Sequence, residues 1–236
     1  MRDFRLGRPV PRTEDARLLR GEGRYTDDIS PPDAAHLHVV RSQHAAARLR
    51  NIDLAEARAA AGVISVFSGV DAVRDGLGTF ASFVPRNRPD GSSFVPPYRV
   101  LAVDRVRHVG DPIVAIVAET LEQAKDAAEL VTVDYETLPA VVDTASAASP
   151  GQPAVWDEAP DNICFVFGLG DTKAAEAIFA QAKHVIDETF RISRVIANPM
   201  ETRAAVGSYD PGQDRYTPVS YTHLDVYKRQ TRNGVR

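Results

Sequence analysis

Histidine side chains are the first groups in this sequence that could coordinate a metal ion. His36 and His38 flank Leu37, so on a β-strand both would point to one face, as two ligands of a metal site must. A third ligand is needed, and His44 is the only nearby candidate. Because no cysteine or glutamate lies in register with the pair, we favour a structural or solvent-facing role for these histidines.

Cys164 is the only cysteine of the sequence, which excludes an internal disulfide and a cysteine-rich metal or iron–sulfur site within it. It lies in the apolar run 163–167, and no neighbouring base marks it as a nucleophile. The pattern therefore predicts a small, buried hydrophobic side chain. His108 precedes Gly110 and Asp111 at the start of a predicted strand, where we expect a hydrogen-bonding role.

Glycine and aspartate groups offer weaker signals. Residues 168–171 (GLGD) resemble half of a phosphate-binding loop, but the third glycine and a Lys-Ser/Thr ending are missing, so we predict a helix-capping turn. Gly21 and Gly23 form a lone Gly-x-Gly, which is not specific. Asp27 and Asp28 lack the spacing of a calcium loop, and we expect them to serve a turn or cap.

Glu201 and Arg203 form the most suggestive charged pair. They follow a long apolar run and lie two residues apart, so they share one face of an extended chain. We favour a structural ion pair or a pair of hydrogen-bonding anchors over direct chemistry, because buried charged groups mark functional sites only in some cases.

The composition is that of a soluble globular protein. The 236 residues are 44% hydrophobic and 25% charged, with a net charge of -4. Acidic and basic residues are interspersed, so no basic patch favours nucleic acid or anionic lipid. No apolar run approaches the roughly 20 residues that span a bilayer, and the N-terminus has no apolar segment typical of a secretory signal. We expect a cytoplasmic protein that binds neither nucleic acid nor membrane.

Helix and strand signals alternate along the first half of the chain. Asp53 and Glu56 have the spacing of a capping box for a helix over residues 54–61. Gly62 fits the position just past that helix, and a strand is predicted over residues 63–67.

Three further segments of the first half are simpler. An apolar run predicts a strand over residues 35–40. Residues 1–30 are rich in Arg, Gly and Pro and read as an extended arm. Residues 74–99 are predicted to form a long loop, and loops of this length often contact a partner.

The clearest unit lies over residues 112–135. The apolar run 112–118 predicts a buried strand, and Thr120 with Gln123 forms a capping box for the helix that follows. A half-buried strand is predicted over residues 131–135. This strand–helix–strand unit is short for a parallel crossover, so the sequence favours an α+β sandwich with helices on one face over a doubly wound fold.

The second half begins with a boundary. Residues 143–162 are small, polar and rich in proline, as in a linker. Asp171 can cap a helix over residues 172–182, and a long strand is predicted over residues 184–196. Alternate apolar residues of that strand share one face, which we expect to be exposed and prone to association: Ile186, Phe190, Ile192 and Ile196.

Three segments, in order, resemble the large subunits of molybdenum hydroxylases, the xanthine dehydrogenase/aldehyde oxidase/aerobic carbon monoxide dehydrogenase family. Residues 12–29 (RTEDARLLRGEGRYTDDI) resemble the family's N-terminal signature. Residues 108–139, with HVGDPIVAIVAET and VDYETLP, are similar to its α/β-hammerhead domain. Residues 198–205 (NPMETRAA) are similar to the stretch that opens its first molybdopterin-binding domain. Together the matches cover most of residues 8–216.

The resemblance implies an α+β chain of successive parts. An N-terminal arm (1–30) precedes the hammerhead domain (31–145), a linker (146–162) and the truncated start of the first molybdopterin-binding domain (163–217). Residues 218–236 resemble an adapter-derived ending of metagenomic gene sequences, so we expect a non-native tail. The alternative is a genuine short strand, which the alternation of apolar residues from Val219 would allow.

The resemblance also implies a function. The full-length parent would bind a molybdenum–molybdopterin cofactor, often as the cytosine dinucleotide, and would hydroxylate an aldehyde or an N-heterocycle such as a purine, or oxidise CO, with water as the oxygen source. Electrons would pass to an iron–sulfur small subunit and an FAD-binding medium subunit in a hetero-oligomer.

In the family, the glycine-rich cofactor loop lies beyond the stretch that resembles residues 198–205, and the base-like glutamate lies near the far C-terminus; we expect neither within these 236 residues. We therefore assign no catalytic, cofactor-binding or metal residue, and we expect this chain alone to bind no cofactor and to be inactive. The alternative is a non-catalytic hammerhead module that docks onto the iron–sulfur or flavin subunits.

Overall fold

The computed structural model describes residues 13, 15–23, 26–29, 31–80, 87–88, 90–192, 204–219 and 230–231. The chain divides into two compact units, Ala35–Asp187 and Met1–Ala34 with Glu188–Arg236. The described helices are α1 (Asp15–Leu18), α2 (Ala55–Ala59), α3 (Gly69–Arg74), α4 (Leu121–Glu129) and α5 (Thr172–Gln181), with a short 3-10 helix at Thr26–Asp28. The described strands are β1 (His36–Arg41), β2 (Ala47–Asp53), β3 (Val63–Ser68), β4 (Arg105–Val106), β5 (Pro112–Ala118), β6 (Thr132–Thr137), β7 (Val206–Asp210), β8 (Arg215–Val219) and β9 (Gln230–Thr231).

The apolar run predicted to be a buried strand forms β5, the centre of a three-stranded antiparallel sheet. β1 pairs with one side of β5 and β3 with the other, so that Ile116 lies opposite both His38 and Val66. Ile113, Val114 and Ile116 are fully buried. Burying each of these side chains stabilises the fold by about 1.5–3 kcal/mol. The strand predictions over residues 35–40, 63–67 and 112–118 are confirmed.

A second antiparallel sheet has β2 at its centre, between β4 and β6. The consecutive strands β5 and β6 therefore belong to different sheets, and α4 connects the two sheets rather than two parallel strands. The prediction of an α+β fold is confirmed. Buried residues of both sheets and of α4 form one core cluster, which includes Ala47, Val106 and Ala124.

The capping box predicted for α4 is present. The Thr120 hydroxyl accepts a hydrogen bond from the Gln123 N–H at 3.2 Å, and the Gln123 side-chain oxygen accepts one from the Thr120 N–H at 3.0 Å. Ala124 and Ala127 are fully buried where α4 packs against β1 and β5. Small side chains at these positions let the helix approach the sheet closely.

The capping box predicted at Asp53 and Glu56 is wrong. α2 begins at Ala55 with Leu54 as its N-cap residue, and no side-chain cap bond forms there. Asp53 is instead the last residue of β2, paired opposite Thr132, which holds its backbone extended. Its carboxylate accepts a hydrogen bond from the Ala55 N–H at 2.9 Å, so it forms a turn one residue earlier than a capping box requires.

The loop predicted over residues 74–99 begins where α3 ends at Arg74. Between residues 75 and 99 the described residues form no helix and no strand beyond one isolated bridge, which joins Thr79 and Arg99. The N–H of Phe80 also donates to the carbonyl of Tyr98 at 2.8 Å. The two ends of the loop are thereby held together.

The helix predicted after Asp171 is confirmed as α5, and the Asp171 carboxylate accepts a hydrogen bond from the Ala174 N–H at 3.0 Å. The strand predicted over residues 184–196 is wrong over its described part, because residues 184–192 form no strand. Ile186, Phe190 and Ile192 are 84–90% exposed. An extended segment becomes a strand only when a neighbour satisfies its N–H and C=O groups, and none of the described residues does so here. Ile196 lies outside the described residues.

β7 and β8 form an antiparallel hairpin in the second unit, with β9 beside β8. The Asp210 carboxylate accepts hydrogen bonds from the N–H groups of Gly212 and Gln213, which fixes the turn. β8 ends at Val219, two residues into the segment predicted to be a non-native tail, while residues 220–229 lie outside the described part. The origin of the tail and the predicted domain boundaries stay predictions. Among the described residues, no helix is long and apolar enough to cross a membrane.

Candidate functional site

The histidines singled out from the sequence do not converge. His36 and His38 lie on β1, where alternate residues share a face, but His44 lies against the ring of Tyr135, with 4.6 Å between ring centroids. Within the described part of the chain, no group of three His, Cys, Asp or Glu residues could hold a metal ion.

His108 takes part in a turn rather than in a catalytic pair. Its carbonyl accepts a hydrogen bond from the Asp111 N–H at 3.2 Å, and its Nδ1 lies 3.7 Å from a carboxylate oxygen of Asp111. Asp111 is buried and accepts a hydrogen bond from the Arg107 N–H at 2.9 Å. The predicted hydrogen-bonding role of His108 is confirmed for its backbone.

A cleft lined by aromatic and arginine side chains lies beside this turn. The Arg107 guanidinium carbon lies 3.8 Å from the centroid of the Trp156 ring, and Tyr98 meets the same ring edge to face at 5.2 Å. Cation–π and aromatic pairs of this geometry each contribute about 0.5–1.5 kcal/mol. The cleft has a volume of about 220 Å³ and is lined also by Arg99 and Glu158.

Arg105 of β4 and Arg107 of the turn that follows hold residues 153–157 in place. Arg107 donates to the carbonyl of Val155 at 3.2 Å, and Arg105 donates to the carbonyl of Ala154 at 3.2 Å. Arg105 also lies 3.4 Å from the Asp157 carboxylate, while its Nε is buried without a hydrogen-bond partner in the described structure. The cleft is thus a polar surface formed by residues distant in sequence.

Sequence reasoning missed this cleft. Trp156 lies in the segment read as a linker, where proline and small polar residues hide any periodic pattern. It is nevertheless buried, as is Ala159 three residues later. The one available signal was a tryptophan, the only one in the sequence, inside a segment otherwise without large apolar residues.

A buried carboxylate, also unpredicted, lies at the start of α3. Asp71 accepts hydrogen bonds from the N–H and hydroxyl of Ser68 at 2.9 and 2.7 Å, and its oxygens lie 3.3 Å from Arg58 and 2.8 Å from Arg74. The hydrogen bonds from Ser68, followed by the charges of Arg74 and Arg58, hold the pKa of Asp71 below its ordinary value. Asp71 completes the capping box of α3, whose N-cap residue is Ser68, and its ion pair with Arg58 ties α2 to α3.

Cys164 is half-buried rather than fully buried, contrary to the prediction. Burial raises the pKa of its thiol, with Asp161 acting in the same direction and Arg88 opposing it. Arg88 forms a 2.7 Å ion pair with Asp161. A thiol with a raised pKa is poorly ionised at neutral pH, so this environment does not activate a nucleophile.

The glycine segment 168–171 forms the predicted helix-capping turn. Gly170 has φ +98°, which favours glycine, and Asp171 caps α5. Gly21, also at positive φ, follows α1, and Asp27 and Asp28 lie in the 3-10 turn. Glu201 and Arg203 lie outside the described residues, so their roles stay predictions.

Two protein-family models match the sequence. The aldehyde oxidase and xanthine dehydrogenase a/b hammerhead domain matches residues 20–139, half of the chain. The molybdopterin cofactor-binding domain matches residues 155–231.

Curated relatives and solved structures agree with these matches. The nicotine 6-hydroxylase large subunit of Paenarthrobacter nicotinovorans is 36% identical over 94% of this chain and 26% of its own. Subunit gamma of the 6-hydroxypseudooxynicotine dehydrogenase complex of the same organism is 34% identical over 95% of this chain and 28% of its own. The structure of a Cu,Mo-CO dehydrogenase superposes with a TM-score of 0.70 at 31% identity, covering 90% of this chain and 27% of that one. The chain spans about a quarter of the length of the curated relatives it matches.

Proposed function

This chain belongs to the aldehyde oxidase and xanthine dehydrogenase family, and we propose that it supplies the hammerhead and first molybdopterin-binding segment of a molybdenum-dependent oxidoreductase large subunit. The observation that carries the proposal is the order of the two matching domains in one chain. Similarity over 94% of this chain to a subunit of that kind supports it.

The reaction proposed for the full-length parent is hydroxylation of an N-heterocycle or an aldehyde, or oxidation of CO, with water as the oxygen source. The names of two relatives support the first and last options, since one acts on nicotine and one on carbon monoxide. These options share the oxidation of a small molecule at a molybdenum centre.

The proposed cofactor is molybdenum–molybdopterin, in the cytosine dinucleotide form, which would supply the redox chemistry when bound. The described residues of the matched segment do not fit it by themselves. Every residue of α5 is exposed, and neither β7 nor β8 carries a buried side chain, so none of these elements by itself encloses a group of that size. We therefore propose that the 236-residue chain alone binds no molybdenum cofactor and is inactive.

The proposed partners are an iron–sulfur small subunit and an FAD-binding medium subunit, in a cytoplasmic hetero-oligomer that binds neither nucleic acid nor membrane. Support comes from a relative whose name places it in a multi-subunit complex. We propose that the hammerhead surface of this chain docks onto them.

Two measurements test the proposal. Molybdenum analysis of the purified chain, with dye-reduction assays on aldehydes, purines and CO, should give neither stoichiometric metal nor turnover. Stoichiometric molybdenum would contradict the inactivity of this chain alone. Sequencing an independent clone past codon 217 should reveal a long open reading frame, and its product expressed with partner subunits should contain molybdenum. A stop codon there would instead favour the alternative, a non-catalytic hammerhead docking module.

A further inference from the structure

A cleft lies along the side of β3 that has no neighbour among the described strands. Within the described part of the chain β3 pairs only with β5, so its other side has no neighbouring strand. The cleft has a volume of about 330 Å³ and is lined by the consecutive strand residues 63–67 and by Arg58, Asp71 and Arg74. No residue of β5 contributes to it, so the cleft lies away from the existing ladder. Five strand residues span roughly 17 Å, the length of a short added strand.

One backbone group of β3 is directed into the cleft, the carbonyl of Val66, a residue that is 4% exposed beneath the Arg58 side chain. The carbonyl of Val66 accepts a hydrogen bond from the Arg58 guanidinium at 3.4 Å, so it faces away from β5. That distance is long for a hydrogen bond, and the Arg58 side chain is 52% exposed, so an incoming N–H group can displace it. Ile64 has no cross-strand partner in β5, because the register shifts there, and its side chain is 59% exposed. A strand with one side free of a neighbouring strand is a template for another strand.

The charges at the cleft favour an acidic occupant. Arg58 and Arg74 border it with side chains 52% and 69% exposed, whereas Asp71, the one carboxylate of the lining, is 11% exposed. Both arginines pair with Asp71, two cations for one carboxylate, so the lining carries one excess positive charge. Asp75, 3.8 Å from Arg74, lies outside the lining. A segment bearing carboxylates would meet the cations first.

We propose that the free edge of β3 binds an extended acidic segment of a partner polypeptide as an added antiparallel or parallel strand. Backbone hydrogen bonds to Val66 hold the segment, its carboxylates contact Arg58 and Arg74, and an apolar side chain covers Ile64. This mode of recognition combines main-chain pairing for affinity with side-chain contacts for specificity. It does not depend on cofactor binding or on turnover.

The test uses the full 236-residue chain and a fluorescent hexapeptide of alternating valine and glutamate with blocked ends. Anisotropy titration should show saturable binding of this peptide and none of the version with lysine in place of glutamate. A third version, N-methylated at alternate residues on one edge, should also fail to bind, because it cannot pair with a strand. Amide exchange should slow at residues 64–66 when the glutamate peptide is added.

Two matched double variants distinguish binding of the peptide at this edge from its general attraction to positive charge on the protein. The double variant Arg58→Gln/Arg74→Gln should bind about tenfold more weakly, from the loss of two exposed ion pairs. Arg48→Gln/Lys125→Gln removes the same charge from exposed positions outside the cleft and should bind like wild type. Equal binding of the lysine peptide, wild-type affinity of the first double variant, or no saturation below about 1 mM peptide would overturn the proposal. So would a dimer, seen by light scattering, that the first double variant abolishes, since a second copy would then occupy the edge.

Discussion

The guanidinium of Arg107 covers one face of the Trp156 indole, with 3.8 Å between the guanidinium carbon and the ring centroid. Arg107 belongs to the turn between β4 and β5, and Trp156 lies nearly 50 residues later. The contact holds residues 153–157 against the turn between β4 and β5, although their composition is that of a linker.

Removing the indole should therefore destabilise the first unit. Trp156→Ala deletes a buried ring that contacts Arg107 and Tyr98, and we expect the free energy of unfolding to fall by about 3 kcal/mol. Denaturant unfolding, followed by circular dichroism, measures the change. Val142→Ala, at a side chain 83% exposed in the preceding segment, serves as the control and should change stability little. Equal stability of the two variants would show that residues 153–157 are not held by the ring.

The Asp71 carboxylate predicts a specific pH dependence. Its pKa in the folded chain lies below the ordinary 3.8, so the charged form stabilises the fold above that pH. This stabilisation is lost as the pH falls through the lowered pKa. Asp71→Asn should cost about 1–2 kcal/mol at pH 7, and the gap between wild type and variant should narrow below about pH 4.

The measurement is denaturant unfolding of both proteins between pH 7 and pH 2. Asp75→Asn removes a neighbouring carboxylate that is 54% exposed and should show little of this effect. A gap between wild type and Asp71→Asn that stays constant across the pH range would contradict the role of the ionised carboxylate in the capping box of α3.

Two glycines at positive φ provide a matched pair. Gly62 has φ +75° and Gly151 has φ +87°, so alanine at either position costs about 1 kcal/mol or more of backbone strain. A Cβ at Gly62 would in addition overlap the side-chain amide of Gln123, whereas a Cβ at Gly151 would meet nothing within 4 Å. Gly62→Ala should therefore be the more destabilising by about 1–3 kcal/mol in thermal or denaturant unfolding. Equal losses would show that Gln123 moves aside freely.

Limited proteolysis should distinguish the two halves of the chain. Lys173, Lys183 and Arg191 are exposed, and the last two border a segment without strand pairing, so we expect trypsin to cleave within residues 160–236 first. Residues 30–145 should resist, because most of their regular elements belong to the two sheets and the core. Mass spectrometry of the time course identifies the fragments, and uniform resistance would contradict the expectation.

The elements that the sequence predicts correctly are those that depend on residues close together in the chain. The run 112–118 and the Thr120 capping box are decided by neighbouring residues, and both were predicted correctly. The capping box predicted at Asp53 does not form, because Asp53 pairs with Thr132 as the last residue of β2. The strand predicted over 184–196 had the right alternation, but alternation cannot supply a pairing neighbour.

The contacts that form the aromatic and arginine cleft could not be predicted from the sequence for a similar reason. Arg107 and Trp156 meet only because the chain returns after β6, and neither residue has a local pattern that reveals the other. Asp71 was missed although Ser68 and Asp71 have a capping spacing, because the predicted strand ends at Phe67 and no element is predicted over residues 68–73.

The bridge between Thr79 and Arg99 allows the segment between them to vary in length. Since its two ends are pinned together, the segment can change length without shifting β3 or β4, and doubling it costs only about 0.6 kcal/mol of closure entropy. The turn at Asp90 and Gly91, both exposed, is the natural point for such an insertion. Relatives that share this scaffold can therefore acquire new surface there without refolding the sheets, and an affinity tag placed at the same turn should be tolerated.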